Sequence, residues 1–281
     1  MSLRLLSPAK VNLHLEVLSR RGDGYHEIQT LMQRIDLCDE VEMNLGGEGI
    51  RLTTEGEEVS QGMENLVAQA AQSFFREARI PGKGVTIHLK KKIPVAAGLG
   101  GGSSNAAAVL MGLNVMLSAG RNEQFLMTLG AKIGADVPFF LFQKSARARG
   151  IGEKLTAVVL PSPLWFLVVI PPFRISTAWA YAAFDQISSP KGEPTPLKDS
   201  YPLLEDLLPV LQNDMEITTF TRHPEMADMK KSLLAMGAKG ALMSGSGPAT
   251  FALFSTRQET ERTAENLNLP PGWRRMIARG I

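Results

Sequence analysis

Apolar and polar residues alternate from Lys10 to Leu18: Val11, Leu13, Leu15 and Val17 share one face, while Lys10, Asn12, His14 and Glu16 share the other. A period of two predicts a half-buried strand with a polar face. The glycine turn Arg20–Glu27 carries an exposed aromatic, Tyr25, beside His26, and feeds strands near 28–35 and 40–45. Further on, the pattern predicts a strand at 50–54. A helix follows over 64–79, with Leu66, Ala70, Phe74 and Ala78 on one stripe, then a strand over 84–93.

A glycine-rich stretch comes next, running through Pro94, Val95, Ala96, Ala97, Gly98, Leu99, Gly100, Gly101 and Gly102 to Ser103, Ser104 and Asn105. Beyond it, Ala106, Ala107, Val109, Leu110, Leu113 and Leu117 repeat at helical spacing and predict a helix beginning at the serines. A second helix is expected over 123–133. Asp136, two residues before Pro138, then stands where a carboxylate caps a helix start, and short extended segments follow at 146–152 and 154–160. Pro161-Ser162-Pro163 marks an expected boundary, giving domains 1–160 and 161–281.

The second half reads as a strand at 164–170, a helix at 176–184 and a surface loop at 188–200 with three prolines. Helices are expected over 203–211, 213–220 and 224–236, the last stopped by Gly237. Strands at 240–243 and 250–254 are joined by Ser244-Gly245-Ser246-Gly247-Pro248, with a helix at 256–267 and a strand at 274–281 after them. Without the loop and the extra helices, this is the β-α-β-β-α-β order of a ferredoxin-like domain.

Composition narrows the class of protein. The 281 residues are 44% hydrophobic and 21% charged, the balance of a soluble globular enzyme. Lys and Arg number 30 against 28 Asp and Glu, so no basic excess is available to hold a nucleic acid. Lys90-Lys91-Lys92 reads as a solvated strand end, with attraction of phosphates as the competing reading. Cys38 is the single cysteine, and His14, His26, His88 and His223 are scattered. That excludes a disulfide framework, argues against a protein-held zinc and fits a reducing compartment. No stretch reads as a signal peptide or membrane span, so a cytoplasmic location is expected.

A glycine loop opening into a helix presents unpaired N–H groups and the positive end of the helix dipole, a setting for phosphate. It is neither a Walker A string, since no lysine follows the glycines, nor a dinucleotide fingerprint, whose sixth position would be Ser103 or Asn105. Tight packing against a neighbouring strand is the alternative use for such glycines. The stretch resembles the ATP-binding motif of the GHMP kinase superfamily, which includes galactokinase, homoserine kinase and mevalonate kinase. Further blocks agree: Pro8–Leu13, Gly24–Thr30, Asp36–Val41, Gly134–Phe140, Asn213–Glu216 and Met243–Ala249. One departure is Gln143, near which members carry a glycine.

The resemblance implies an α+β protein of two lobes, the first similar to the second domain of ribosomal protein S5 and the second ferredoxin-like. It implies an ATP-dependent kinase with Mg²⁺. Its form within the superfamily points to the 2-hydroxyl of a cytidine diphosphate-linked polyol on the non-mevalonate route to isoprenoids. On this resemblance Pro94 to Ser104 binds ATP, with the Ser103 and Ser104 hydroxyls open to phosphate or Mg²⁺. Asp136 is the general base, oriented by Lys10, and Asn12 reaches the same acceptor. Tyr25 and His26 take the cytosine, and Thr177 and Tyr181 close on its other face. No protein carboxylate is assigned to the metal, and neither nucleic acid nor membrane is an expected partner. Alternatives remain open: capping for Asp136, a solvated strand face for Lys10 and helix packing for Tyr181. For the whole chain, the alternatives are a kinase of the homoserine or mevalonate type, or an RNA-associated S5-like module.

Overall fold

The computed structural model describes residues 1–80, 84–187 and 193–281. Two long strands open the chain, β1 (Ser2–Arg20) and β2 (His26–Leu45), on either side of a turn in which Gly24 has a φ of +88°. β1 starts at Ser2 rather than near Lys10, and β2 runs through the polar residues 36–40 where a break is expected. Two of those acids are satisfied in place: Asp36 accepts the Arg279 N–H, and Asp39 accepts those of Lys92 and Ile93. Next come β3 (Ile50–Gly56), α1 (Leu66–Ala78), β4 (Val85–Lys91), α2 (Gly101–Met116), α3 (Glu123–Ile133) and α4 (Val137–Phe142). The side chains of Asn65 and Asn122 cap α1 and α3. The chain continues through β5 (Ala146–Arg149), β6 (Lys154–Ala157), β7 (Trp165–Ile170), α5 (Thr177–Ile187) and α6 (Leu204–Leu207), with a 3₁₀ turn at Leu208–Val210. It ends with β8 (Gln212–Asn213), α7 (Glu216–Arg222), α8 (Pro224–Ala235), β9 (Gly240–Met243), β10 (Thr250–Phe254), α9 (Arg257–Asn266) and β11 (Arg274–Arg279).

The residues fall into two compact units, and β1 and β2 contribute to both. The first comprises Met1–Ala9, Leu37–Val95 and Gly100–Lys144. In it β4 lies between β3, which is parallel to it, and the end of β2, which is antiparallel. α2 packs against α1, α3 and α4, and Ala106 to Leu110 and Leu113 are all buried. A helix covered on several sides cannot be sided, so α2 is apolar almost all round.

The second unit comprises Lys10–Asp36, Ala96–Leu99 and Ser145–Ile281. Its four-stranded sheet has the order β11-β7-β10-β9, antiparallel throughout. Numbered within that sheet the order is 4-1-3-2, the split β-α-β arrangement expected of the ferredoxin-like half. α8 and α9 pack on one face through Leu167, Val169, Leu233, Phe254 and Leu267, and Phe166 and Phe251 meet edge to face. With both faces covered, β7 is continuously apolar rather than alternating. Within this unit β1 pairs with β8, and β2 with β5.

The helix expected at 213–220 starts only at Glu216, because Asn213 is bound into β8. Of the loop expected at 188–200, residues 188–192 lie outside the described residues. In the remainder, the Thr195 N–H is held by Glu16 and its carbonyl by Gln29. No helix among the described residues is long and apolar enough to cross a membrane.

Candidate active site

The glycine stretch divides between the units at Leu99 and Gly100. In the second unit its head, Ala96–Leu99, is clamped on two sides. The Lys10 N–H donates to the Leu99 carbonyl at 2.9 Å, and the Ala249 N–H to that of Ala97 at 3.0 Å. The Ser244 hydroxyl donates to the Gly98 carbonyl at 2.9 Å. Gly98 has a φ of +78°, and a Cβ there would sit 2.1 Å from the Ser244 carbonyl oxygen, so conformation and packing both demand glycine.

In the first unit Pro94 is buried and Val95 half-buried ahead of the loop. Gly100, with a φ of +69°, is the N-cap of α2, so the helix begins at Gly101, two residues before the first serine. The Ser104 N–H makes the first intrahelical bond, to the Gly100 carbonyl. The N–H groups of Gly101, Gly102 and Ser103 precede it, at the positive end of a helix with no acid in its first turn. Ser103 is half-buried, whereas Ser104 is buried and its hydroxyl is bonded to Ser7 Oγ at 2.7 Å. The expectation that both hydroxyls are open to a ligand therefore narrows to Ser103.

Ser104 belongs to a polar cluster that the sequence reading missed. Asp39, wholly buried, accepts the Lys92 and Ile93 N–H groups on Oδ1, at 2.7 and 2.9 Å. On Oδ2 it accepts Asn105 Nδ2 at 2.9 Å and the Lys91 ammonium. Asn105 also donates to Ser7 and accepts from Lys91. Lys91 is thus no solvated strand end: it ties the end of β4 and the first turn of α2 to β2. The signal in the sequence was parity, since Lys91 falls in phase with Val85, Ile87 and Leu89, all buried.

Asp136 is the N-cap of α4 but makes no capping bond with its side chain, so the capping reading is not realised. Its turn lies against the start of α2, a Cβ on Gly134 coming 3.6 Å from Ser103 Oγ. Gln143, at the end of α4, has a φ of +58°, a left-handed conformation that glycine adopts without cost, which fits the glycine expected near that position.

Lys10 and Asn12 are buried in the second unit, which removes the solvated-face reading of Lys10. The Lys10 ammonium donates to Asn12 Oδ1. Asn12 Nδ2 donates to Thr30 Oγ1 at 2.8 Å, and the Asn12 N–H to Ser244 Oγ at 3.3 Å. Gly245, with a φ of +57°, lies over both: a Cβ there would be 3.4 Å from Lys10 Nζ and 3.2 Å from Asn12 Oδ1. Asn213 holds that loop through the Met243 and Gly245 carbonyls, at 2.7 and 2.8 Å, and Glu216 accepts the Met243 N–H.

At the start of β2, Tyr25 is 59% exposed while His26 is buried. The His26 ring stacks on that of Tyr181 with centroids 4.8 Å apart, and Nε2 lies 2.6 Å from Asp185 Oδ1. A carboxylate accepts, so Nε2 carries the proton. Tyr181 packs on the surrounding apolar cluster as well as on His26. Thr177 shares a hydrogen bond with Ser246 of the β9–β10 loop at 3.0 Å. Asp185 is a second residue the sequence reading missed. It lies one helical turn beyond Tyr181, a spacing that offered the signal.

Residues 65–144 match the model of the GHMP kinases N terminal domain, and residues 197–270 that of the GHMP kinases C terminal domain. The chain is 45% identical to the 4-diphosphocytidyl-2-C-methyl-D-erythritol kinase of Geobacter metallireducens, over 97% of this chain and 96% of that protein. With the same-named kinase of Geobacter sulfurreducens it shares 46% identity, over 94% of each. A crystal structure of 4-(cytidine 5'-diphospho)-2C-methyl-D-erythritol kinase superposes with a TM-score of 0.81 at 37% identity, covering 99% of both chains. The chain therefore belongs to the GHMP kinases and, within them, to the 4-diphosphocytidyl-2-C-methyl-D-erythritol kinases.

Proposed function

We propose that this protein transfers the γ-phosphoryl group of ATP to the 2-hydroxyl of 4-diphosphocytidyl-2-C-methyl-D-erythritol, in the non-mevalonate synthesis of isoprenoid precursors. The observation that carries the site assignment is the start of α2. Three N–H groups precede its first helical bond, the half-buried Ser103 stands among them, and the Asp136 turn packs beside it. Such an end binds the charge of a triphosphate, and the glycines leave room for close approach.

Phosphoryl transfer asks the protein chiefly for alignment and charge stabilisation. Asp136 takes the proton of the 2-hydroxyl as its oxygen attacks the γ-phosphorus and ADP departs. The Asp136 turn lies against the start of α2, beside the N–H groups that would hold the triphosphate, which supports this role. Lys10 orients the base and stabilises negative charge on the transferring oxygens. Asn12 holds the Lys10 ammonium and shares the acceptor side of the site. Tyr25, His26, Thr177 and Tyr181 form the cytosine end, with Asp185 fixing the His26 ring.

Among the described residues no three metal-ligating side chains cluster. Mg²⁺ accompanying ATP would be held mainly by substrate phosphates and water, with the Ser103 hydroxyl as the protein's candidate ligand. When bound, the ion neutralises phosphate charge. Residues 1–160 then serve as the lobe that binds the donor and 161–281 as the second lobe, in a cytoplasmic enzyme fed by ATP.

Phosphorylation of the cytidylyl substrate, compared with that of homoserine and mevalonate, tests the substrate assignment; equal rates would overturn it. Asp136→Ala is expected to lower kcat by about 10² or more while ATP binding stays near normal. Wild-type turnover in that variant would remove Asp136 as the base.

A further inference from the structure

In the second unit Thr30 lies on β2, paired with Ala148 of β5, and is 1% exposed. Its Oγ1 is 2.5 Å from the His14 carbonyl oxygen and 2.8 Å from Asn12 Nδ2. A carbonyl can only accept, so the hydroxyl proton points at His14. That leaves Oγ1 only lone pairs to offer Asn12, and the amide must turn its NH₂ toward Thr30. Oδ1 then faces the other way, onto the Lys10 ammonium, a group that can only donate. The sequence of bonds has one direction: the His14 carbonyl sets the hydroxyl, the hydroxyl sets the amide, and the amide receives the ammonium.

We infer that Thr30 is a positioning residue for phosphoryl transfer, setting the amide orientation of Asn12 and through it the place of the Lys10 ammonium. The inference rests on the role proposed above for Lys10. The rest of the surroundings leaves the amide as the adjustable part. The Asn12 backbone is fixed through its N–H to Ser244 Oγ, and Gly245 backs both side chains without a Cβ. Remove the Thr30 hydroxyl and the Asn12 NH₂ loses its acceptor. A flipped amide would then set NH₂ against ammonium, donor against donor, among buried side chains. Either orientation then leaves a buried polar group without a partner, so the amide and the ammonium it receives shift from their present places.

The test compares full-length Thr30→Val, Thr30→Ser and Lys10→Met in steady-state phosphorylation of the cytidylyl substrate. ATP affinity is measured by equilibrium binding, and the folded fraction by thermal unfolding. Thr30→Val keeps the side-chain shape and loses the hydroxyl, so kcat per folded molecule is expected to fall about tenfold or more, with ATP affinity within about twofold of wild type. Thr30→Ser restores the hydroxyl and should lie within about threefold of wild type in kcat. Should Thr30→Val not fold, Thr30→Cys carries the same expectation, since a thiol is a poor donor and acceptor of similar size.

A folded valine variant with wild-type kcat, or a serine variant as impaired as the valine one, overturns the inference. A merely structural role would lower the unfolding temperature and leave the kcat of folded enzyme unmoved. Lys10→Met separates the two levels. If it is inactive while Thr30→Val is normal, this inference alone fails. If it turns over at the wild-type rate, the assignment of Lys10 fails, and this inference with it.

Discussion

Two lysines are buried among the described residues, Lys10 in the second unit and Lys91 in the first, and each is faced by a glycine. Lys91 is set into a carboxylate whose two oxygens are also engaged by two backbone N–H groups and an asparagine. Nothing in that arrangement can move without leaving a buried group unsatisfied, and what it holds in place is backbone: the exit of β4 and the start of α2. Lys10 is held through the Asn12 amide, whose direction comes from Thr30, and it lies under the Gly245 backbone. The first arrangement fixes a fold element, and the second sets the place of an ammonium to which the proposed function gives a role in the reaction. Burial alone does not tell a structural cation from the working one proposed for Lys10.

Replacing each lysine by methionine breaks this comparison if it is wrong. Lys10→Met is expected to lower kcat by about 10² or more, with little change in unfolding temperature. Lys91→Met leaves Asp39 buried without its cation. It should cost about 3 to 5 kcal/mol of stability, a fall in unfolding temperature of about 6 °C or more. Whatever enzyme remains folded should keep turning over. If the two variants lose stability and turnover in the same proportion, the lysines do not differ in kind.

The difference was only partly legible in the chain. Both lysines sit in alternating strands, Lys91 in the apolar phase of β4 and Lys10 on the polar face of β1. Phase therefore betrays Lys91, whereas Lys10 reads as solvated because a polar face is taken to meet water. Here that face is covered by segments remote in sequence: the Val210 carbonyl on His14, Thr195 on Glu16 and Gly245 on Lys10 and Asn12. Strand β7, α3 and the β9–β10 pair could be read from local pattern, since their burial is set by neighbours on both faces or by a clean cap. His26 and Tyr25 were visible as residues, but Asp185, which orients the imidazole, becomes a partner only through the tertiary fold. Asp39 likewise sat in a recognisable block without a role until the fold brought β4 and α2 to it.

The glycines sharpen the comparison at a smaller scale. Gly245→Ala adds a methyl 3.4 Å from Lys10 Nζ and 3.2 Å from Asn12 Oδ1 at a φ of +57°, so strain and displacement fall on the ammonium. It should lower kcat about tenfold and stability by about 1 kcal/mol. Gly101→Ala places a methyl 2.9 Å from Ile93 Cγ2 and 3.0 Å from Lys91 Nζ, in a helical backbone that tolerates alanine. Its cost, about 1 to 2 kcal/mol of overpacking, should appear in stability and in ATP affinity rather than in kcat at saturating ATP. Measuring kcat, ATP affinity and unfolding temperature for both variants checks the split. A kcat effect from Gly101→Ala alone would reverse it.

The smallest effect belongs to Glu40, the neighbour of Asp39 on β2. Hydrogen bonds from Lys92 and then Arg4 hold its carboxyl at about 2, below the ordinary value of 4.5. The folded state therefore favours the ionised form. The resulting stability is complete above about pH 4.5 and drains away as the pH falls toward about 2. Lys92 and Arg4 are 60% and 61% exposed, so salt should weaken this contribution, as it would not weaken the Asp39 pair. Glu40→Gln should have a slightly lower denaturant midpoint than wild type at neutral pH and low salt. The gap should narrow in high salt and close as the pH drops through that window. A gap that stayed constant with both pH and salt would mean that Glu40 acts through packing, and that the charge pairs on this strand differ less from each other than their burial suggests.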